Sequence, residues 1–436
     1  MKLHCVVLLS IAGALCGLDA RAENWPTWRG PHYDGSTTET NLPDQLSLDK
    51  NLAWKMPLPG RSGATPVVWG DKVFVTSADD KSHELLALCF NRIDGKELWR
   101  EKVSAGDQSW DRNNSAAPSP VTDGQAVYFL YANGDLTKLT MDGKIVWQKS
   151  ITKEYGDFTI LWGYGNSPLL YQDKLYITVL RRDNWRGKTG KFESLLLALN
   201  PKDGSEIWKH VRASDGSNET QESYATPIPV DVKGQMQLVI NDGASMTGHD
   251  LKTGKELWRF GNYMTPPKRG DCRMVVSPVA GAGYIFCTAA KKVSPIYAVN
   301  PEGASGTVKP DDAAWSLNEN QTDCSTPLFY NGFLYVLDGD KKVLMKVDPK
   351  TGKKLWTGSL PPGPVFRSSP TAGDGKIYFV RSNSEVYICD AGAEFKILSK
   401  LELNEGGEKV GTFASVAISQ GNLFVRTPTV LYCFKK

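Results

Sequence analysis

The chain has 436 residues, 41% of them hydrophobic and 23% charged, with a formal net charge of +3. That charge is too small for an electrostatic nucleic-acid binder, and the Lys and Arg residues are scattered rather than clustered, so nucleic acid is excluded as a partner. Such a length ordinarily means two or three domains, but an internal repeat makes most of the chain one large domain.

Residues 1–22 read as an export signal. Lys2 gives a short basic start, Cys5 to Leu18 is an apolar run, and Ala20-Arg21-Ala22 supplies small residues for cleavage. The run is too short for a stable span and no later stretch is apolar for 18 residues, so no transmembrane helix is expected. The expectation is an exported protein, periplasmic or secreted. Leu15 before Cys16 is larger than a lipid-anchor signal prefers. Residues 23–50 are rich in Pro, Gly, Thr, Asn and Asp and read as an irregular extension. Its Trp25-Pro26-Thr27-Trp28-Arg29-Gly30 segment is expected to strap across a rim of the following domain, with recruitment of a partner as the alternative.

From Asn51 to Lys436 one phrase recurs: a polar turn, Gly, then a short strand carrying Trp. It is IDGKELW at Ile93–Trp99, MDGKIVW at Met141–Trp147, KDGSEIW at Lys202–Trp208, KTGKELW at Lys252–Trp258 and KTGKKLW at Lys350–Trp356. Looser copies hold Trp54 and Trp315, and in an eighth copy Leu398 takes the Trp place. Spacings of about 41 to about 61 residues are those of blade-type repeats. Each unit holds four short strands. The first unit reads Thr65–Gly70, Asp71–Ser77, Glu84–Phe90 and Glu97–Val103. First strands open on a small residue plus Pro, as in Thr65-Pro66, Ser119-Pro120, Ser167-Pro168 and Ser369-Pro370, where Pro forfeits no ladder bond that matters. Second strands such as Leu175–Leu180 are continuously apolar, which suits sheets packed on both faces.

The expected fold is therefore an all-β, eight-bladed β-propeller of four-stranded antiparallel blades. The last set, Ser415–Lys436, runs out before a fourth strand, and Asn51–Leu58 is left over at the other end. That strand is expected to complete the last blade and seal the ring. Seven blades with a stray N-terminal strand is the competing count. Trp54, Trp99, Trp147, Trp208, Trp258, Trp315 and Trp356 are expected to form a structural girdle between sheets.

Cys89, Cys389 and Cys433 occupy corresponding third-strand positions where a small apolar residue packs. Cys272 and Cys324 fall in loops entering successive blades, where an oxidising compartment would allow a disulfide. Loops leading into first strands converge on the channel mouth. They carry Arg61, Arg112, Asn113, Asn114, Trp162, Tyr164, Glu222, Tyr224, Arg273, Asp323 and Arg367. Arginines with aromatics suit an anionic or sugar-like ligand through bidentate hydrogen bonds and stacking; purely structural pairings remain the alternative. His32, His83, His210 and His249 are dispersed, with no metal-ligand spacing.

The segments Asp250–Trp258 and Asp348–Trp356 resemble the tryptophan-docking repeat of pyrroloquinoline-quinone (PQQ)-type propellers. The resemblance covers Asn51–Lys436 and implies eight blades with each Trp docked between blade ends. That family includes quinone-dependent alcohol and sugar dehydrogenases and a non-enzymatic scaffold lipoprotein of the outer-membrane β-barrel assembly machinery. The opening Trp25–Gly35 resembles exported members from bacteria such as planctomycetes. The dehydrogenases use calcium and a pair of adjacent cysteines; no adjacent pair occurs here, and their Glu, Asn and Asp ligands find no match. No catalytic residue is carried over. The expectation is a monomeric, non-enzymatic binding or scaffolding propeller of the bacterial cell envelope, without cofactor or metal, whose partner is an envelope protein or a small polar, anionic or sugar-like ligand. The alternatives are a dehydrogenase using PQQ with calcium and a carbohydrate-binding envelope protein.

Overall fold

In the computed structural model the described residues are 22–110, 113–184, 187, 190–261, 273–288, 295–319, 322–405 and 411–436. They form eight four- or five-stranded sheets, antiparallel but for one added strand, and one two-stranded pair, Ser109–Trp110 with Asn113–Asn114, with almost no helix. Blade 1 comprises Val67–Trp69, Lys72–Ala78, Glu84–Asn91 and Glu97–Ala105, and blade 2 begins at Val121–Thr122. First strands of successive blades adjoin around the axis, blade 8 touching blade 1. Second and third strands are sandwiched by neighbouring blades, so both side-chain rows are buried, as along Ser194–Leu199. Fourth strands lie at the rim and alternate between half-buried and exposed, as along Glu97–Ala105.

The ring is sealed as the leftover strand requires. Leu52–Pro57 is the fourth strand of blade 8 and pairs with Val430–Lys435, Trp54 opposite Cys433 and Lys55 opposite Tyr432. The competing seven-blade count is thereby excluded. One apolar cluster runs through this junction, from Trp54 and Phe424 of blade 8 to Val73 of blade 1 and Tyr378 of blade 7.

The recurring phrase works through three linked features. A register shift at Cys89/Phe90 places Trp99 opposite Cys89 and re-aims its ring. The Trp99 indole N–H then donates to the Met141 carbonyl in the next blade at 3.0 Å. Its ring lies so close to Gly143 (φ +86°) that a Cβ there would approach to 2.7 Å; only Gly meets both demands. Trp54, Trp147, Trp208, Trp315 and Trp356 likewise donate to Arg92, Pro201, Leu251, Pro349 and Gly392 carbonyls of the following blade.

Trp258 departs from the girdle. It is 1% exposed and donates to Gln237 Oε1 of its own blade. The reason is local: Gly306–Val308 adds a fifth, parallel strand to blade 4, with Gly306 opposite Trp258. Intervening chain thus occupies the edge where the next blade's turn would dock.

Residues 23–50 form no strand but cross one face of the ring. Trp25 exchanges two 2.9 Å backbone hydrogen bonds with Val68, Thr122 N–H reaches the Pro26 carbonyl, and Thr37 N–H reaches Ala372. The Glu39 carboxylate accepts from Glu23, Gln420 and Gly421 N–H groups. Trp25 and Leu42 are fully buried.

Candidate functional site

The small residue before each first strand proves to be a hydroxyl with a task. Thr65 N–H donates to Ser119 Oγ, Ser119 to Ser167, Ser167 to Thr226 and Thr226 to Ser277, at 2.9–3.1 Å. Ser277 donates to Thr326, Thr326 to Ser369, Ser369 to Ser415, and Ser415 back to Thr65, at 2.9–3.1 Å. Eight side chains therefore satisfy eight otherwise orphaned backbone donors in a closed circle about the axis. Seven of them, all but Thr326, line a cavity of about 430 Å³.

Beyond the circle stands the N-terminal extension. The Arg29 guanidinium is 1% exposed and donates to the carbonyls of Pro327 and Pro370, each one residue past a circle member. Burial lowers its pKa to about 10. Trp28, whose ring lies 5.4 Å from the Arg29 guanidinium, lines the cavity.

At the mouth, loops of three blades bring Arg273, Asp323 and Arg367 together. Asp323 Oδ2 lies 3.3 Å from Arg273 Nη2 and 2.7 Å from Arg367 Nη1, while Asp340 stands 3.5 Å from Arg367 Nη2. Arg367 Nη1 also contacts Cys324 Sγ at 3.2 Å. Cys324 is a free thiol whose pKa is pushed up to about 11, chiefly by burial. Both arginines line the cavity with Trp162, Tyr224 and Asn113.

Glu222 lies behind this wall rather than on it. Its buried carboxylate accepts from Leu161 N–H at 3.0 Å and from the Tyr224 hydroxyl at 3.1 Å. Tyr224 Oη in turn accepts from Trp162 N–H at 3.0 Å. Desolvation raises the Glu222 pKa to about 7 against the opposing Leu161 hydrogen bond.

Of the residues singled out in the sequence, Asn113, Trp162, Tyr224, Arg273 and Arg367 meet at the cavity, with Asp323 bridging the arginines. Tyr164 does not belong there. Its hydroxyl donates to the Thr178 carbonyl and its ring stacks on Phe158 at 4.2 Å, inside an apolar cluster. Asn114 is buried and caps its own turn through Ala116 N–H. Arg61 pairs with Asp80 at 3.3 Å, away from the cavity wall. Arg112 and Cys272 lie outside the described residues. No local signal marks Trp28 or Ser382 for the cavity wall, whereas the recurring Ser/Thr-Pro pairs do carry the signal for the hydroxyl circle, in the small residue rather than in the proline.

The model of the family described as outer membrane protein assembly factor BamB matches residues 38–160 and 249–435, more than half of the chain. The chain belongs to this PQQ-like propeller family. Among solved structures, BamB from Moraxella catarrhalis is 12% identical with a TM-score of 0.60, covering 88% of this chain and 97% of that one. Quinohemoprotein alcohol dehydrogenase ADHIIG from Pseudomonas putida HK5 is 11% identical with a TM-score of 0.66, covering 94% and 80%. Both likenesses are of fold alone. A tetrathionate hydrolase from Acidithiobacillus ferrooxidans is 22% identical over 333 residues, 76% of this chain. This BamB-like chain spans about half the length, 52%, of that curated relative.

The quinone-and-calcium site of the family's dehydrogenases finds no fit here. Calcium wants several converging oxygen ligands, carboxylates among them. The cavity wall presents two guanidiniums and, among the described residues, no carboxylate; Asp323 behind it is engaged by both arginines. No group of three or more His, Cys, Asp or Glu side chains suited to a metal ion occurs among the described residues. Nor is any described helix long and apolar enough to cross a membrane.

Proposed function

We propose that this protein is an exported propeller of the bacterial cell envelope that binds its target at the channel mouth rather than transforming it. One observation carries the reading: a cavity lined by Arg273, Arg367, Trp28, Trp162 and Tyr224, without a described carboxylate on its surface. Guanidiniums beside aromatic planes suit an anionic or sugar-like group, free or displayed on a partner protein. Membership of the BamB-like family supports scaffolding, since the matching model is that of an assembly factor. Joint replacement of Arg112, Arg273 and Arg367 by Ala tests the reading: binding of the target is expected to be lost, and unchanged binding of every ligand found for the parent protein defeats it.

The match to a tetrathionate hydrolase brings a second reading, in which the mouth takes a sulfur oxyanion. The arginine pair favours it, so tetrathionate belongs among the ligands titrated, with its consumption followed by chromatography. The dehydrogenase alternative predicts dye-linked alcohol or sugar oxidation once the protein is given PQQ and Ca²⁺. Absence of quinone binding at micromolar concentration dismisses it.

A further inference from the structure

The hydroxyl circle has a polarity that the arginines share. Each of its eight oxygens accepts a backbone N–H, and among the described residues none of the eight donates its own proton. All eight side chains are more than nine-tenths buried, from 1% exposed at Thr326 to 6% at Ser167 and Thr226. Bulk water therefore satisfies these donors poorly, and seven of the residues face one cavity. Ser382, 1% exposed and also on the cavity wall, has an Oγ without any hydrogen-bond partner.

The acceptors nearby are each engaged at least once. Asn113 Oδ1 takes the N–H of Asn114 at 2.9 Å, and the Tyr224 hydroxyl takes that of Trp162 and donates to Glu222. Asp323 holds both guanidiniums. Each hydroxyl keeps its O–H and a lone pair, and the charged groups on the described wall are two guanidiniums with no carboxylate. A neutral sugar leaves the two guanidinium charges unmatched, and a divalent cation needs oxygens bearing negative charge. An oxyanion takes the O–H donors and matches the guanidinium charge as well.

We propose that the cavity is a binding site for a small oxyanion, bearing carboxylate, phosphate or sulfonate groups, held by the protons of the hydroxyl circle and of Ser382 and charge-matched by Arg273 and Arg367. The assignment rests on the binding reading above and names its ligand class. About 430 Å³ lies within the range of small-molecule pockets, so a tricarboxylate such as citrate is an adequate probe.

The test is titration of the intact protein with citrate, inorganic phosphate, inorganic sulfate and glucose, read by calorimetry and by the fluorescence of Trp28 and Trp162. Citrate or one of the inorganic anions is expected to saturate at or below about millimolar concentration, more weakly as salt rises. Ser382→Ala removes a hydroxyl that holds nothing else in place. It is expected to leave the unfolding midpoint unchanged and weaken anion binding by about threefold to tenfold, one hydrogen bond's worth. Arg367→Ala is expected to weaken it by about tenfold or more. Saturation by glucose but by no anion overturns the oxyanion assignment while leaving the binding reading intact. Anion affinity untouched by both Ser382→Ala and Arg367→Ala overturns the site. Binding of PQQ with Ca²⁺ and of none of these probes overturns both the site and the non-enzymatic reading.

Discussion

The backbone N–H of Ser415 donates to Oγ1 of Thr65 at 3.1 Å, across a separation of 350 residues. This bond closes the inner circle, as the pairing of Trp54 with Cys433 closes the outer sheet. The propeller is thus latched twice, once at the axis and once through blade 8.

Thr65→Val keeps the shape of the side chain and removes the acceptor. The Ser415 N–H is then buried without a partner, and the expected cost is about 1–3 kcal/mol in urea unfolding. A loss below about 0.5 kcal/mol would show that the circle is incidental to stability.

The docking of Trp on Gly is tested by two matched substitutions. Gly143 and Gly303 hold the same turn position in blades 2 and 5, at φ +86° and +73°. A Cβ at Gly143 would collide with Trp99, whereas nothing lies within 4 Å of one at Gly303. Gly303→Ala should cost about 1–2 kcal/mol for the left-handed backbone alone. Gly143→Ala should cost that plus about 1–3 kcal/mol of overpacking. Equal losses would mean that Trp99 yields freely.

Deleting residues 23–50 should destabilise the ring rather than merely remove a partner site. Trp25, Leu42 and Leu46, all buried in the extension, would each forgo about 1.5–3 kcal/mol of burial. A fall on the order of 5 kcal/mol in chemical unfolding is expected. An intact unfolding midpoint with a lost binding partner would instead assign the segment to recruitment.

Glu222 makes stability depend on pH. Its folded pKa of about 7 lies above the ordinary carboxylate value of 4.5, because burial disfavours the ionised form. Its protonated form is therefore the better accommodated one, so the favourable contribution is complete below about 4.5 and is lost as pH rises through 7. Glu222→Gln keeps an acceptor for Leu161 and removes the charge. The variant is expected to gain on the parent between pH 5 and 8, by up to about 3 kcal/mol. Parallel pH–stability curves for the two proteins would refute this.

How much of this was legible beforehand follows from the range of each interaction. Blade count, the Trp phrase and the borrowed N-terminal strand are written locally, in turn residues and apolar runs a few residues long. The mouth was half legible. Arg273 and Arg367 could be nominated as loop residues, but Asp323 as their shared counter-ion depends on three blades meeting at the axis. Tyr164 and Trp162 are two residues apart and look alike in composition, yet one fills the core and the other faces the cavity.

By itself, then, the chain determined an eight-bladed ring and how it is sealed, because each blade is a short-range pattern repeated. Only the tertiary structure decided that Trp258 turns into its own blade, that Arg29 reaches the Pro327 and Pro370 carbonyls, and that the Ser/Thr hydroxyls accept one another's backbone N–H groups in a closed circle. Each of these joins blades or residues 21 to 350 positions apart. Radial placement, and no local propensity, sets those contacts.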